Sequence, residues 1–156
     1  MKQHWTREEL ETEWRIWPDE EPLIKNKRGS TRIGFVVLLK FFLHEARFPT
    51  APKEIPLEIV IYLAGQVGVE VRAWSDYPWE GRSIEYHRAS IRAFAGFREA
   101  TLDDGQELET WLVQESLDQE QRPDRIQEAA REAALARCRS LRIEAPWPGT
   151  TPTNHP

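Results

Sequence analysis

Apolar positions recur at helical spacing along nearly the whole chain, and no stretch shows the period-two alternation of a strand. The pattern predicts an all-α fold of about seven helices, compact and containing helix-turn-helix-like units. Thr6-Arg-Glu-Glu9 is a capping box that opens a first helix running to about Ile16. Trp17-Pro18 closes that helix, because a residue before proline avoids helical angles. A short second helix starts at Pro18 and ends near Lys27. Ser30 or Thr31 then caps a third, about Thr31 to His44, which is apolar almost all round and so reads as a central buried helix.

After a loop with prolines at 49, 52 and 56, Leu57 to Val67 forms a fourth helix, with Pro56 suited to its first turn. Gly68 permits a left-handed turn into a short helix from Glu70 to Tyr77. Ala64, Gly68, and the apolar Leu63, Val67, Val69, Trp74 and Tyr77 fall where a helix-turn-helix needs small, turning or core residues. The would-be recognition helix, however, carries Glu70 and Asp76 against one base, Arg72. The next helix, capped by Ser83 and running from Ile84 to Ala95, is better equipped, with Arg82, Arg88 and Arg92 on or beside it. His87 lies on its apolar side and reads as a hydrogen-bonded core residue. Gly96 ends that helix. Thr101 caps another, to about Ser116, and Pro123 opens a last one, Asp124 to about Leu141. Residues 1–145 read as one helical domain, and the four-proline segment 146–156 as a disordered tail or severed linker.

Composition alters this picture mainly through charge. The 156 residues sum to a net charge of -5, which taken alone argues against a DNA partner. The charge is segregated. From Lys25 to Arg47 six bases face one acid, Glu45, whereas from Glu99 to Glu128 ten acids face two bases, Arg122 and Arg125. A local basic face can bind phosphate whatever the net sum. Arg28 and Arg32, flanking the start of the third helix, fit either salt bridges to Asp19, Glu20 or Glu21, or contacts to phosphate. One cysteine, Cys138, excludes an internal disulfide and a cysteine metal site. The N-terminal segment is too polar for a signal peptide, and the apolar run from Ile33 to Leu43 is too short to span a bilayer. The expected setting is the bacterial cytoplasm, associated with the nucleoid, with no membrane partner.

Catalytic chemistry finds little support. The four histidines lack metal-ligand spacing, Cys138 has no neighbouring histidine, and no glycine loop could cradle phosphate. Acids such as Asp103-Asp104 belong at helix starts, where they complement the dipole. No cofactor, metal or catalytic residue is expected of this chain, which reads as a non-enzyme.

Three ordered segments carry a family resemblance: NKRGSTRIGFVVLLKFFLHEARFP from Asn26, GRSIEYHRASIRAFAGFREAT from Gly81, and DRIQEAAREAALARCRSLRIEAPWPG from Asp124. Together they resemble the N-terminal region of Tn-three family transposases, the enzymes of class II replicative transposons, over about Thr6 to Gly149. The resemblance implies recognition of the terminal inverted repeats of the transposon in double-stranded DNA. It also implies that strand transfer belongs to a C-terminal domain with an Asp-Asp-Glu triad that has no counterpart here. Either an excised domain or a short natural protein that competes at transposon ends is expected. Carried onto this sequence, the family pattern falls on Arg28, Arg32, Gly34, Phe35, Arg82, His87, Arg88, Arg92, Gly96, Phe97 and Arg98.

The DNA-contacting set expected from residues and resemblance together is Lys27, Arg28, Arg32, Arg72, Arg82, Ser83, Arg88, Arg92 and Arg98. Arg28, Arg32, Arg82, Arg88 and Arg92 are expected to converge on one face. The alternative is a helical protein-interaction or regulatory module that docks the remainder of a transposase through its acidic segment.

Overall fold

A computed structural model describes residues 1–117 and 123–146. Its α-helices are α1 (Arg7–Glu13), α2 (Glu21–Ile24), α3 (Gly29–Glu45), α4 (Leu57–Val67), α5 (Arg82–Ala95), α6 (Leu102–Leu117) and α7 (Pro123–Leu141). Short 3-10 helices span Pro52–Glu54 and Val71–Asp76. The fold is all-α. The described residues hold no strand, only an isolated parallel bridge between Arg98 and Ile143. The expected tail from residue 147 onward lies outside the described residues.

Two compact units divide the chain: Met1–His44 with Pro49–Ile91, and Glu45–Phe48 with Arg92 onward. In the first, α3 supplies the core, with Ile33, Phe35, Val36, Val37, Leu38, Leu39, Phe41 and Phe42 fully buried. Such burial explains why its sequence is apolar all round. Lys40 is the polar exception. Its Nζ reaches both Glu20 carboxylate oxygens at 3.0 and 3.2 Å, and both side chains are 4% exposed. Trp14, also fully buried, stacks on His44 at 5.0 Å and meets Trp5 edge-on. Gly34 is required by Tyr77. A Cβ on residue 34 would lie 1.9 Å from the tyrosine ring, so any side chain there displaces it.

The second unit is smaller in its apolar content. Ala46, Leu108, Ala134, Leu135, Cys138 and Ala145 form its core, with Phe97, Trp111 and Leu112 packed against them. Main-chain bonds stitch distant segments: Ala145 N–H donates to Ala46 O at 2.7 Å, and Glu144 N–H to Arg98 O at 2.8 Å.

Local signals were accurate at several helix ends. Thr6 and Glu9 form the expected capping box. Thr101 and Asp104 form another across α6, with Thr101 N–H donating to Asp104 at 2.7 Å and Asp104 N–H to Thr101 Oγ1 at 3.2 Å. Gly68 and Gly96 adopt left-handed angles, φ 69° and 71°, as the turns require. Other boundaries move. The first helix ends at Glu13 rather than Ile16, because the Gln66 side chain takes over the exposed backbone, accepting from Ile16 N–H and donating to Trp14 O. Helix α2 begins at Glu21, not Pro18, and α3 begins at Gly29, before Thr31. Pro56 is the residue just outside α4 rather than in its first turn. The segment Glu70 to Tyr77 is not an α-helix: its helical part, Val71–Asp76, is 3-10. Helix α5 starts at Arg82, which puts Ser83 inside its first turn and not at the cap.

A candidate nucleic-acid interface

Each basic residue of the expected set can be placed by what its side chain touches. Arg32 turns inward. Its guanidinium donates to three backbone oxygens: Lys27 O at 2.7 Å, Val67 O at 3.1 Å and Lys25 O at 3.2 Å. Those carbonyls lie at or just beyond the ends of α2 and α4, where helices leave acceptors unsatisfied. These three backbone bonds, rather than an ion pair to Asp19, Glu20 or Glu21, hold Arg32. Lys27 is half-buried, donates to Leu23 O at 2.6 Å and sits 4.0 Å from the Phe35 ring centre. Burial pushes its pKa down.

Arg92 and Arg98 are committed within the second unit. Arg92 is 17% exposed, with Nε 2.9 Å from Glu144, Nη2 3.0 Å from Glu99 and its guanidinium over Phe48. Arg98 makes a two-pronged contact with Asp104 at 2.6 and 2.9 Å. That contact, with the Thr101 backbone bond, holds the Asp104 carboxyl well below the usual carboxylate range. Arg72 is exposed and pairs with neighbouring Glu70 at 2.5 Å.

The remaining cations behave differently. Arg28 and Arg82 are exposed, and neither side chain makes a hydrogen bond or ion pair among the described residues. Lys25 is exposed in the same way and was not in the expected set. Arg88 is half-buried and engaged. All of these belong to the first unit. So do Lys27 and Arg88, the charges felt at the Tyr77–His87 pair. Tyr77 is pushed up chiefly by burial, with Arg88 opposing, and His87 is pushed down by burial and by Lys27. His87 is the hydrogen-bonded core residue expected: its Nδ1 lies 2.7 Å from the Tyr77 hydroxyl, and Phe35 meets its ring edge-on.

Helix α5 carries a residue that sequence reasoning passed over. Tyr86 is 70% exposed. The spacing contained the signal. With Ile84, His87 and Ile91 buried, residues 82, 86, 89 and 93 must occupy the opposite face at about 100° per residue.

Other chemistry is sparse. No group of three or more His, Cys, Asp or Glu side chains among the described residues could hold a metal ion. Cys138 is buried, which raises its thiol pKa to about 11. A small cleft beside it is lined by Asp104, Arg137, Leu141 and Ile143. A more open cleft of about 370 Å³ in the first unit is lined by Ile16, Glu21, Lys25, Arg32 and Gln66. No helix among the described residues is long and apolar enough to cross a membrane. Comparison with known families adds one finding, a match over residues 1–150 to a domain of unknown function, DUF4158. The chain, from its first helix through its last, therefore belongs to the DUF4158 family.

Proposed function

We propose that this chain is a DNA-binding domain of a transposase, which recognises the terminal inverted repeats of a class II transposon and leaves strand transfer to an Asp-Asp-Glu domain elsewhere. The observation that carries the reading is the set of cations Lys25, Arg28 and Arg82, unpaired among the described residues, in one unit of an acidic chain. The ordered resemblance of three segments to Tn-three family transposases supports the same reading. Free guanidinium groups suit phosphate and guanine, because their forked donors match both. The reading implies a place on the bacterial nucleoid, beside the remainder of a transposase.

Fluorescence anisotropy tests it, with two duplexes: the terminal inverted repeat of the host element and a scrambled copy. Three phosphate contacts would give a log-log salt slope of about -2.7, or roughly 40-fold weaker binding between 50 and 200 mM salt. Tighter binding to the repeat is expected. Absence of binding at low salt would overturn the reading.

A second reading rests on α6. It exposes Leu102 (80%) and Val113 (51%) among the acids of the Glu99 to Glu128 segment. Such a surface suits docking another protein domain, and a truncated transposase could use it to compete at transposon ends. Binding of the isolated remainder of the transposase, without DNA, would favour this alternative.

A further inference from the structure

We propose that the solvent face of α5 enters the major groove of the bound DNA, with Arg82 reading a guanine and Tyr86 a thymine methyl. This rests on the DNA-binding reading above and assigns it a helix, a groove and two base-reading residues. Ile84, His87 and Ile91 fall within an arc of about 60° and anchor the helix. Arg82, Tyr86, Ala89 and Ala93 fall within an arc of similar width on the opposite side, and all four are exposed.

The composition of that face is unlike an ordinary solvated surface. A helix face in water usually carries Lys, Glu and Gln. Here one arginine, one tyrosine and two alanines fill its centre. Tyr86 leaves 70% of its surface in water. Arg82 has no partner among the described residues. Short side chains at 89 and 93 let the helix backbone approach a groove about 12 Å wide. From residue 82 to 93 the axial rise is about 16 Å, which spans about five base pairs.

Charge favours DNA over a neutral partner. The unpaired Arg82 on this face is a positive group that a DNA backbone would favour and a neutral partner would not. Arg28 adds a free cation in the same unit. Glu85 borders the face beside Arg82 and is the acid that opposes the approach. Other helical faces fit less well. Val71–Asp76 is a 3-10 helix flanked by Glu70 and ends in Asp76. The exposed Leu57 and Ile61 of α4 carry no charge.

The test uses the full chain and the variants R82A, Y86A and R28A, each with an unchanged thermal melt. Probes are the repeat, its scrambled copy, and the repeat with thymine replaced by uracil. Wild type should prefer the repeat and weaken on uracil. R82A should lower the repeat-to-scrambled preference by about 5- to 150-fold, the range of one bidentate base contact. Y86A should bind the thymine and uracil duplexes equally. R28A should weaken both duplexes alike. If both α5 variants keep the wild-type preference and uracil sensitivity, the helix assignment is overturned while the DNA reading stands. A dimer that Y86A dissolves, with preference for the repeat unchanged, would make this face a contact between copies instead. If wild type shows no preference at all, the reading beneath the proposal fails as well.

Discussion

The two units differ in what their key arginines touch. In the second, Arg92, Arg98 and Arg131 each close onto acids: Glu144 and Glu99, Asp104, and Glu45. Its small apolar core is supplemented by these charge pairs, two of which, Arg92–Glu144 and Arg131–Glu45, join segments far apart in sequence. In the first, the core is a largely apolar helix whose buried Lys40 is paired with Glu20. Among the described residues Arg28 and Arg82 are left unpaired there, while Arg32 is held by backbone carbonyls. The difference teaches that counting arginines along a chain says little about which are available to a ligand. A residue's availability depends on whether an acid or a helix end elsewhere in the fold has already claimed it.

The largest expected effect probes the buried Lys40–Glu20 ion pair of the first unit. K40M leaves the Glu20 carboxylate buried without its partner and should cost about 3–5 kcal/mol, read by urea denaturation. Recovery of much of that loss in a K40M/E20Q double variant would confirm that the stranded charge is the cause. Next is R92A, which strips two charged contacts from a mostly buried side chain. It should destabilise by about 1.5–3 kcal/mol. Simultaneous replacement of Arg88 and Arg92 would therefore disturb the fold as well as any DNA contact. R82A, on the same helix, should shift stability by no more than about 0.5 kcal/mol. Equal losses for R82A and R92A would erase the distinction between the units.

Smaller effects come from titration. His87 is held below its ordinary pKa by burial and by Lys27. The unfolded chain therefore takes up more protons as pH falls below about 6.5. The stability from neutral His87 is complete above that pH and is lost as pH falls through the folded pKa. The melting temperature should drop between pH 7 and 5, and less in H87Q. Slightest of all, the buried Cys138 thiol, pushed up to about 11, should react with iodoacetamide at pH 7 far more slowly in native protein than in urea. Equal rates would place that thiol in solvent.

The parts of the fold that were legible in sequence are those set by neighbours. Capping boxes at Thr6 and Thr101, and left-handed glycines at 68 and 96, each depend on residues within one helical turn. The largely apolar α3 announced its burial by composition. The candidate site was harder to read. Arg32 bonds Val67, 35 positions away, and Arg92 bonds Glu144, 52 away. Neither pairing follows from helical spacing. The segment after Gly68 had the apolar pattern of an α-helix but wound as a 3-10 helix, since i+3 and i+4 periods barely differ over six residues. Tyr86 carries no charge and belongs to no apolar repeat, so its face is located only by the buried Ile84, His87 and Ile91 of α5.

Gly34 links these matters. Its missing side chain lets the Tyr77 ring lie against α3, and Tyr77 in turn holds His87 of α5. On the DNA-binding reading proposed above, this position should score as intolerant in two separate assays of a saturation mutagenesis experiment, abundance and DNA retention. A larger residue would push on Tyr77 and so tilt the helix that carries Arg82. Alanine, the mildest change, should therefore uncouple the two scores, keeping more of the protein in the cell than of its grip on the repeat.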